Sequence, residues 1–495
     1  MQGERRFYAA VTGLYALTRL ALFLLGVRFS VSYRWQHIHD IDLLRDRLGE
    51  TLFYTHAFTP FLSGLIGVVH KVSERHAAAI YQALFFAFGA AFALSIAYLL
   101  RALRLGPRLA AAVVTFFCCT PPFIYMESFL HYEFPAAALL ALAAALFHRA
   151  LATGRRGLWL LFFADCALLA YVRTTFHLVW VLAAFALALL FRRGGRRAVL
   201  AAAAGPVLVV LALYLKNLAL FGFFGTSSWF GFNVSMVTVR RMSQRDQRAW
   251  LAQGKLHPAS TVKLYNGPRS YAAHVDLSKT RGVPVLDRLE RDGGLPNYNH
   301  WSYIEISKIR MADGRRYIAE RPGAYAREVL SNLVDYFRPT TRWHPLDRQS
   351  SPHLDNRQAL EPWEDAYNNA LHGGWTRPFG FYIPVLLLFA YGAGAAANAL
   401  RKSRLEGCLE EKVVLFMAFC CLYVPALSCL VTTTELERYR FLVEAFLWAI
   451  GLWAGRRALE RVPWALAAAA LRARAAGVTR KLRTPSFARR SGRGG

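Results

Sequence analysis

Apolar runs close to twenty residues long recur along this chain, separated by shorter polar gaps. A helix needs about 20 apolar residues to cross roughly 30 Å of hydrocarbon. By that measure the pattern predicts ten spans, at roughly 7–27, 78–100, 107–122, 134–150, 158–172, 175–191, 198–221, 379–400, 412–432 and 440–455. The stretch 158–191 is divided because a single span of that length would be unusually long, and it reads as a tight hairpin turning at Arg173. Soluble chains do not sustain such runs. The expected fold class is an all-α polytopic membrane protein, with about ten transmembrane helices, an amphipathic first outer loop and one large extracytoplasmic loop domain.

The polar gaps alternate in kind. RALRLGPR, HRALATGRRG, RRGGRR and RKSRL fill every second one, while WQHIHDIDLLRD, YMESFLHYEFP, a loop of roughly 150 residues and TTTELERYR fill the others. Short loops rich in Arg and Lys stay cytoplasmic. This places both termini inside and gathers the acidic segments on the outer face. The resulting organisation is an N-terminal membrane region, 1–222, containing the first outer loop at 28–77. An extracytoplasmic loop domain at 223–377, C-terminal membrane helices at 378–460 and a basic cytoplasmic tail at 461–495 follow.

Within the first outer loop, DLLRDRLGETL has helical spacing and predicts an amphipathic helix on the membrane surface. Thr59-Pro60 breaks the chain, and FLSGLIGVVHKV, too short to span, suits a helix lying in the interface. The large loop opens with the aromatic, Gly-rich FGFFGTSSWFGFN. RPGAYAREVLSNLVDYF then predicts a helix stopped by Pro339, with Ala324, Val329, Leu330, Leu333, Val334 and Phe337 on one face.

Composition sharpens this picture. The net charge of +29 would suggest nucleic acid in a soluble protein. Here much of the excess lies in inner loops and in VTRKLRTPSFARRSGRGG, so anionic headgroups are the simpler partner and nucleic acid is not expected. That tail reads as disordered. The first span lacks a small-residue cleavage site directly after its core and is expected to be retained. None of the seven Cys falls in the large outer loop, and no CxxC metal site exists. Ala/Arg-rich composition points to a GC-rich bacterial genome and a bacterial inner membrane.

Candidate chemistry clusters outside. His37, His39, Asp40, Asp42, Asp46, Glu50 and His56 crowd the first outer loop, where a carboxylate can accept a proton or hold a cation. HxHD admits a divalent metal without requiring one. Arg19 and Asp165 lie inside spans, and each must face the bundle interior or a partner. They are expected to pair with each other. Arg173, beside Thr174, Thr175 and His177, suits a phosphate at headgroup depth, because the guanidinium fork binds oxygens bidentately. Lys216 offers a second cation at that level, and TTTELERYR adds Glu435, Glu437, Arg438 and Arg440.

In layout and in several stretches the chain resembles the GT-C class of membrane glycosyltransferases, the polyprenyl-phosphate-sugar enzymes related to protein O-mannosyltransferases and lipid A aminoarabinose transferases. LTRL followed by an acidic first outer loop, LLRDRLGETLFYTHAFTPFLSGLIG, YMESFLHYEFP, YVRTTFHLVW, YLKNLALFGFFGTSSWFGFN and ELERYRFLVEAF carry the resemblance, in that order. It covers most of the membrane part and little of the large loop beyond its opening. The first loop lacks the Asp-Glu pair of many members, and Thr59-Pro60 stands where Pro-Pro is usual. The resemblance implies Asp40 or Asp42 as catalytic base, Glu127 as a second acidic residue, and Arg173 with Lys216 or Arg438 on the donor phosphate. His56, His177 and Arg440 are further candidates. It implies a sugar carried on a polyprenyl phosphate, an acceptor glycan, lipid or protein, and transfer with inversion. No GxGxxG unit or Walker A sequence is present, so the donor is expected to arrive on a lipid. The alternative expectation is a multi-pass lipid or sugar transporter or flippase, with Arg19 and Asp165 as its relay.

Overall fold

The computed structural model describes residues 2–35, 37–192, 195–342, 354–373, 382–403, 408–433 and 435–461. The basic tail from 462 onward and the start of the predicted span 379–400 lie outside the described residues.

The chain is an all-α protein of the multi-pass membrane type. Six helices are long and apolar enough to cross a membrane: Gln2–Leu24, Ala77–Ala102, Glu133–Thr153, Arg196–Phe221, Tyr382–Lys402 and Leu409–Val431. Pro107–Cys118 and Pro121–Glu127, bent by 63° at the Thr120-Pro121-Pro122 break, add a seventh if taken together. By length and composition, six or seven of the ten expected spans are therefore supported among the described residues. The other three sites do carry helices, but Arg156–Val172 has 17 residues and Leu178–Phe191 has 14. At 1.5 Å per residue these reach about 26 and 21 Å, short of the hydrocarbon thickness. Glu444–Arg461 has 18 residues but carries Arg456, Arg457, Glu460 and Arg461 in its last turns.

Glu133–Thr153 is the centre of the bundle. Its run of Ala lets neighbours approach closely, and it packs against Ala77–Ala102, Arg156–Val172 and Leu409–Val431. Tyr382–Lys402 lies against Leu409–Val431 and Glu444–Arg461.

In the first connection, the expected single amphipathic helix is two short ones, Ile41–Asp46 and Leu48–Phe53, broken at Arg47. Tertiary packing overrides the local period. Leu43 and Leu44 are buried, with Leu43 joining the core of the large insert. FLSGLIGVVHKV forms the helix Phe61–Ser73, whose Val68 and Val72 remain exposed.

The insert begins after Gly222, which ends the Arg196–Phe221 helix in a left-handed conformation (φ 69°). It has its own core of Trp229, Phe232, Tyr271, Leu286, Trp301, Tyr303 and Ile306, with Ala57 of the first connection. Phe230–Val237 lies so close to Ser302–Glu320 that a Cβ at Gly231 would overlap the Ser307 carbonyl. Arg310, fully buried, ties this core together through Ser235, Tyr271 and the carbonyls of Ala259, Ser260 and Val262. A single two-residue antiparallel ladder, Glu290–Arg291 with Leu295–Pro296, is the extended structure among the described residues.

RPGAYAREVLSNLVDYF does form a helix, Pro322–Tyr336, ended three residues before Pro339. The buried face matches the expected one in part: Phe337 is buried, and Val329 and Ala324 pack against neighbouring cores. Asn332 and Tyr336 are buried, whereas Leu330 and Leu333 are exposed. A polar group decides the register: Asn332 Nδ2 donates to the carbonyls of Cys429 and Thr432. That contact marks the end of the Leu409–Val431 helix nearer Thr432 as the insert side of the bundle.

Candidate functional site

Three groups of charged residues are built on or near the insert side, and they differ in what is left open. The first is an ion-paired knot. Glu133, the residue that starts the central helix, pairs with Arg173, and Arg438 Nε stands 3.4 Å from its other oxygen. Glu133 and Arg173 are buried and the Arg438 side chain is 14% exposed; Arg438 also reaches Glu435 at 3.1 Å. Arg173 stacks on Tyr132 and Tyr439 and donates to Thr175 Oγ1. His37 and His131 pack edge to face above this knot, and burial beside the two guanidiniums holds both imidazoles well below the usual histidine range. An Arg–Glu–Arg set of this kind is held together by mutual neutralisation. Arg173, expected to stand unpaired at a hairpin turn, therefore has its fork turned to a carboxylate from another helix.

The intramembrane charges are also rearranged. Arg19 pairs with Glu127, not Asp165: Arg19 Nε lies 2.5 Å from Glu127 Oε2, and Tyr15 donates to the other oxygen. Glu127 is thereby buried in an ion pair, in a small pocket it shares with Val27, Arg28 and Phe29 at the start of the first connection. Asp165 is buried, and its Oδ2 has no hydrogen-bond partner among the described residues.

The second group joins the first connection to the insert. Arg288 of the insert lies 3.1 Å from Asp40 Oδ2 and 3.0 Å from Asp42 Oδ2, and the Asp292 N–H donates to Asp40 Oδ1. Burial pushes the Asp40 carboxyl above its ordinary value, against the pull of the Asp292 N–H and Arg288. Asp42 is more open, with a side chain 38% exposed against 3% for Asp40. Carboxylate oxygens of Asp40, Asp42 and Asp292 come within 4.8 Å of one another, a spacing a divalent cation can use. Arg288 already supplies a fixed positive charge to Asp40 and Asp42, so the donor set does not demand a metal.

Five further candidates hold structure together. His56 bonds Ser228 Oγ through Nδ1 and the Asn299 carbonyl through Nε2. His39 meets Thr55 Oγ1, and burial lowers His39 and His56 each to about 3. Lys216 Nζ donates to the Thr55 carbonyl. His177 accepts from the Val179 N–H, capping its helix, and bonds the Tyr423 hydroxyl. Arg440 donates to the carbonyls of Tyr336 and Arg338 and to Thr340 Oγ1.

The third group surrounds a cavity of about 810 Å³ between the insert and the bundle. Leu178, Val179, Tyr214, Leu427 and Val431 line it from the spans, and Phe223, Phe224 and Phe230 from the opening of the insert. Val179, Phe224 and Phe230 are among the exposed large apolar side chains, so the apolar wall continues onto the surface of the bundle. Ser227 and Ser228 form part of the wall, and Ser227 Oγ donates to the Ala57 carbonyl behind it.

The other wall comes from Ser302–Glu320. Ile304, Lys308, Met311 and Arg315 follow one another at helical spacing and all line the cavity. Lys308 and Arg315 are exposed, and neither meets a carboxylate among the described residues. Among the described residues no Asp or Glu lines the cavity, and neither Asp40 nor Asp42 reaches it. Reading the sequence for isolated charged segments missed these two cations, because SKIRMADGRR looks like an ordinary solvated helix. The signal that was available is the four-residue stripe, with cations and apolar residues alternating on one face. No known family model, characterised protein or solved structure matches the chain.

Proposed function

We propose that the chain is a membrane glycosyltransferase that moves a sugar from a polyprenyl-phosphate donor to an extracytoplasmic acceptor with inversion. The observation that carries this reading is the cavity. An apolar wall continuous with the surface of the spans suits a lipid tail, and two cations without carboxylate partners suit the phosphate at its head. The insert side is then the extracytoplasmic face of a bacterial inner membrane, as the basic short loops at the other ends of the spans imply.

In this reading Lys308 and Arg315 stabilise the charge that grows on the lipid phosphate as its bond to the anomeric carbon breaks. The acceptor hydroxyl attacks that carbon from the opposite side, which inverts it, and loses its proton to a carboxylate. Both aspartates hold Arg288, and Asp42 is the better base because its side chain is 38% exposed while Asp40 is buried. The two aspartates lie outside the cavity lining, so the sugar extends out of the cavity to bring its anomeric carbon within one hydroxyl of Asp42. The resemblance in the sequence, not a measured distance, assigns that base.

One observation favours a lipid flippase instead: among the described residues no carboxylate lines the cavity. The two readings separate in proteoliposomes loaded with a polyprenyl-phosphate sugar. The transferase releases polyprenyl phosphate in step with glycosylated acceptor. Movement of the intact donor between leaflets, with no release in the presence of glycan, lipid and protein acceptors, would overturn the transferase reading.

A further inference from the structure

On the end of the bundle away from the insert, the structure has a second pocket, of about 510 Å³. It is formed where Ala77–Ala102, Glu133–Thr153, the start of Leu409–Val431 and the end of Glu444–Arg461 come together. Its walls carry four arginines, Arg104, Arg456, Arg457 and Arg461, against three glutamates, Glu410, Glu411 and Glu460.

The glutamates do not use up the guanidinium donors. Glu410 receives Arg104 Nε at 2.5 Å and Arg456 Nη2 at 2.9 Å, together with the Trp453 indole N–H. Glu411 receives Arg457, and Glu460 lies 3.3 Å from Arg456 Nη1. Arg461 donates to the Tyr391 hydroxyl and meets no carboxylate among the described residues. Each guanidinium has five N–H groups. Arg104 spends only Nε on Glu410, and its side chain is 76% exposed, so the two Nη groups are left to the pocket.

The backbone adds a second sign of a built site. Arg104 (φ 60°) and Cys408 (φ 50°) are two of the three non-glycine residues in the left-handed region among the described residues, and both line this pocket. A strained backbone persists where the surroundings hold it, and such positions cluster at binding sites. Cys408, whose thiol meets Ser403 Oγ at 3.6 Å, begins the Leu409–Val431 helix.

We propose that this pocket binds a phosphate group, held by the free donors of Arg104 and Arg461. The guanidinium fork matches two phosphate oxygens, and the surplus of arginine over glutamate supplies the charge. The group belongs either to an anionic lipid headgroup of the same membrane or to a soluble phosphate compound. It is independent of the lipid-phosphate cavity on the insert side, and its success or failure leaves that reading untouched.

The test is titration of the purified full-length protein in detergent with dioctanoyl phosphatidylglycerol, dioctanoyl phosphatidylcholine and inorganic phosphate, read as dissociation constants. Wild type and the Arg104→Ala/Arg461→Ala double variant are compared, with Glu460→Gln as a variant of opposite sign. Phosphatidylglycerol should bind wild type at least ~10-fold more tightly than the double variant, the loss of one or two charge-assisted pairs. Glu460→Gln, which frees Arg456 Nη1, should tighten binding. Competition by inorganic phosphate identifies a soluble ligand, and binding of phosphatidylglycerol unaffected by phosphate identifies a headgroup. Equal affinity in wild type, the double variant and Glu460→Gln would overturn the proposal. The Glu460→Gln comparison decides it alone if the double variant does not fold.

Discussion

Arg173 and Arg438 lie in buried surroundings near the same end of the bundle as Lys308 and Arg315, yet the two pairs are held in opposite ways. Arg173 and Arg438 share Glu133, and no atom of that knot is open to solvent to any large degree. Lys308 and Arg315 project from one helix face into a cavity and meet no carboxylate. The lesson concerns how a cation is judged. A lone Arg at a turn looks available in sequence because its partner stands forty residues away on another helix, within YMESFLHYEFP. Two cations in an ordinary polar helix look solvated because the wall they complete belongs to other elements. Availability is a property of the packed neighbours.

The largest expected effect breaks the first half of that comparison. Glu133→Gln leaves Arg173 and Arg438 buried without their shared counter-charge, and should destabilise the protein by about 3–5 kcal/mol. Thermal unfolding in detergent would measure it, and Arg173→Ala should be destabilised as well, since it strands Glu133 beside Arg438 alone. Normal stability of Arg173→Ala with weakened donor binding would return Arg173 to the phosphate.

Next comes the base. Asp42→Asn should leave folding unchanged, since its carboxylate is partly exposed, and should lower sugar transfer by at least ~10²-fold. Asp40→Asn should also slow transfer, through looser placement of Arg288, with a larger loss of stability because Asp40 is buried. Equal, unimpaired transfer in both variants would remove the first connection from the chemistry.

A smaller effect tests the joint between the first connection and the insert. His39 and His56 stay neutral in the fold down to about pH 3, whereas an unfolded histidine takes a proton below about 6.5. The unfolded chain binds more protons across that window, so stability falls as pH drops from 6.5. Each histidine contributes at most about 1.4 kcal/mol per pH unit, and neither contributes above 6.5. Denaturant unfolding followed by tryptophan fluorescence at pH 7.5, 6.5 and 5.5 reads this directly. A flat profile from 6.5 to 5.5 would mean that the joint opens before the histidines are exposed.

The sequence was read well where one element carries the signal. Helices stand at all ten positions that the apolar period marks, and the Pro322–Tyr336 helix starts and stops near its expected bounds. Length was less legible where a helix is carried by its neighbours: Leu178–Phe191 is apolar throughout, but its 14 residues are too few to cross alone. The face of Pro322–Tyr336 was only partly legible because Asn332, a polar residue, is buried to serve two helix-end carbonyls, and hydropathy alone cannot rank such a site. Asp40 and Asp42 were legible as a pair; Arg288, 246 residues beyond Asp42, was not. Arg19 was expected to meet Asp165, but the bend at Pro121-Pro122 brings Glu127 to it instead.

The most direct test of the account is titration of a polyprenyl phosphate without a sugar into the detergent-purified protein. Wild type, Lys308→Ala, Arg315→Ala and the double variant are compared, with a polyprenol of equal length as the uncharged control. Each single change should weaken binding of the phosphate by roughly tenfold, as expected for loss of a charge-assisted contact, while the polyprenol binds all four proteins alike. Thermal stability should stay within about 0.5 kcal/mol, since both cations are exposed. Undiminished phosphate binding in the double variant would contradict the account, and would mean that the cavity is not where the lipid phosphate sits.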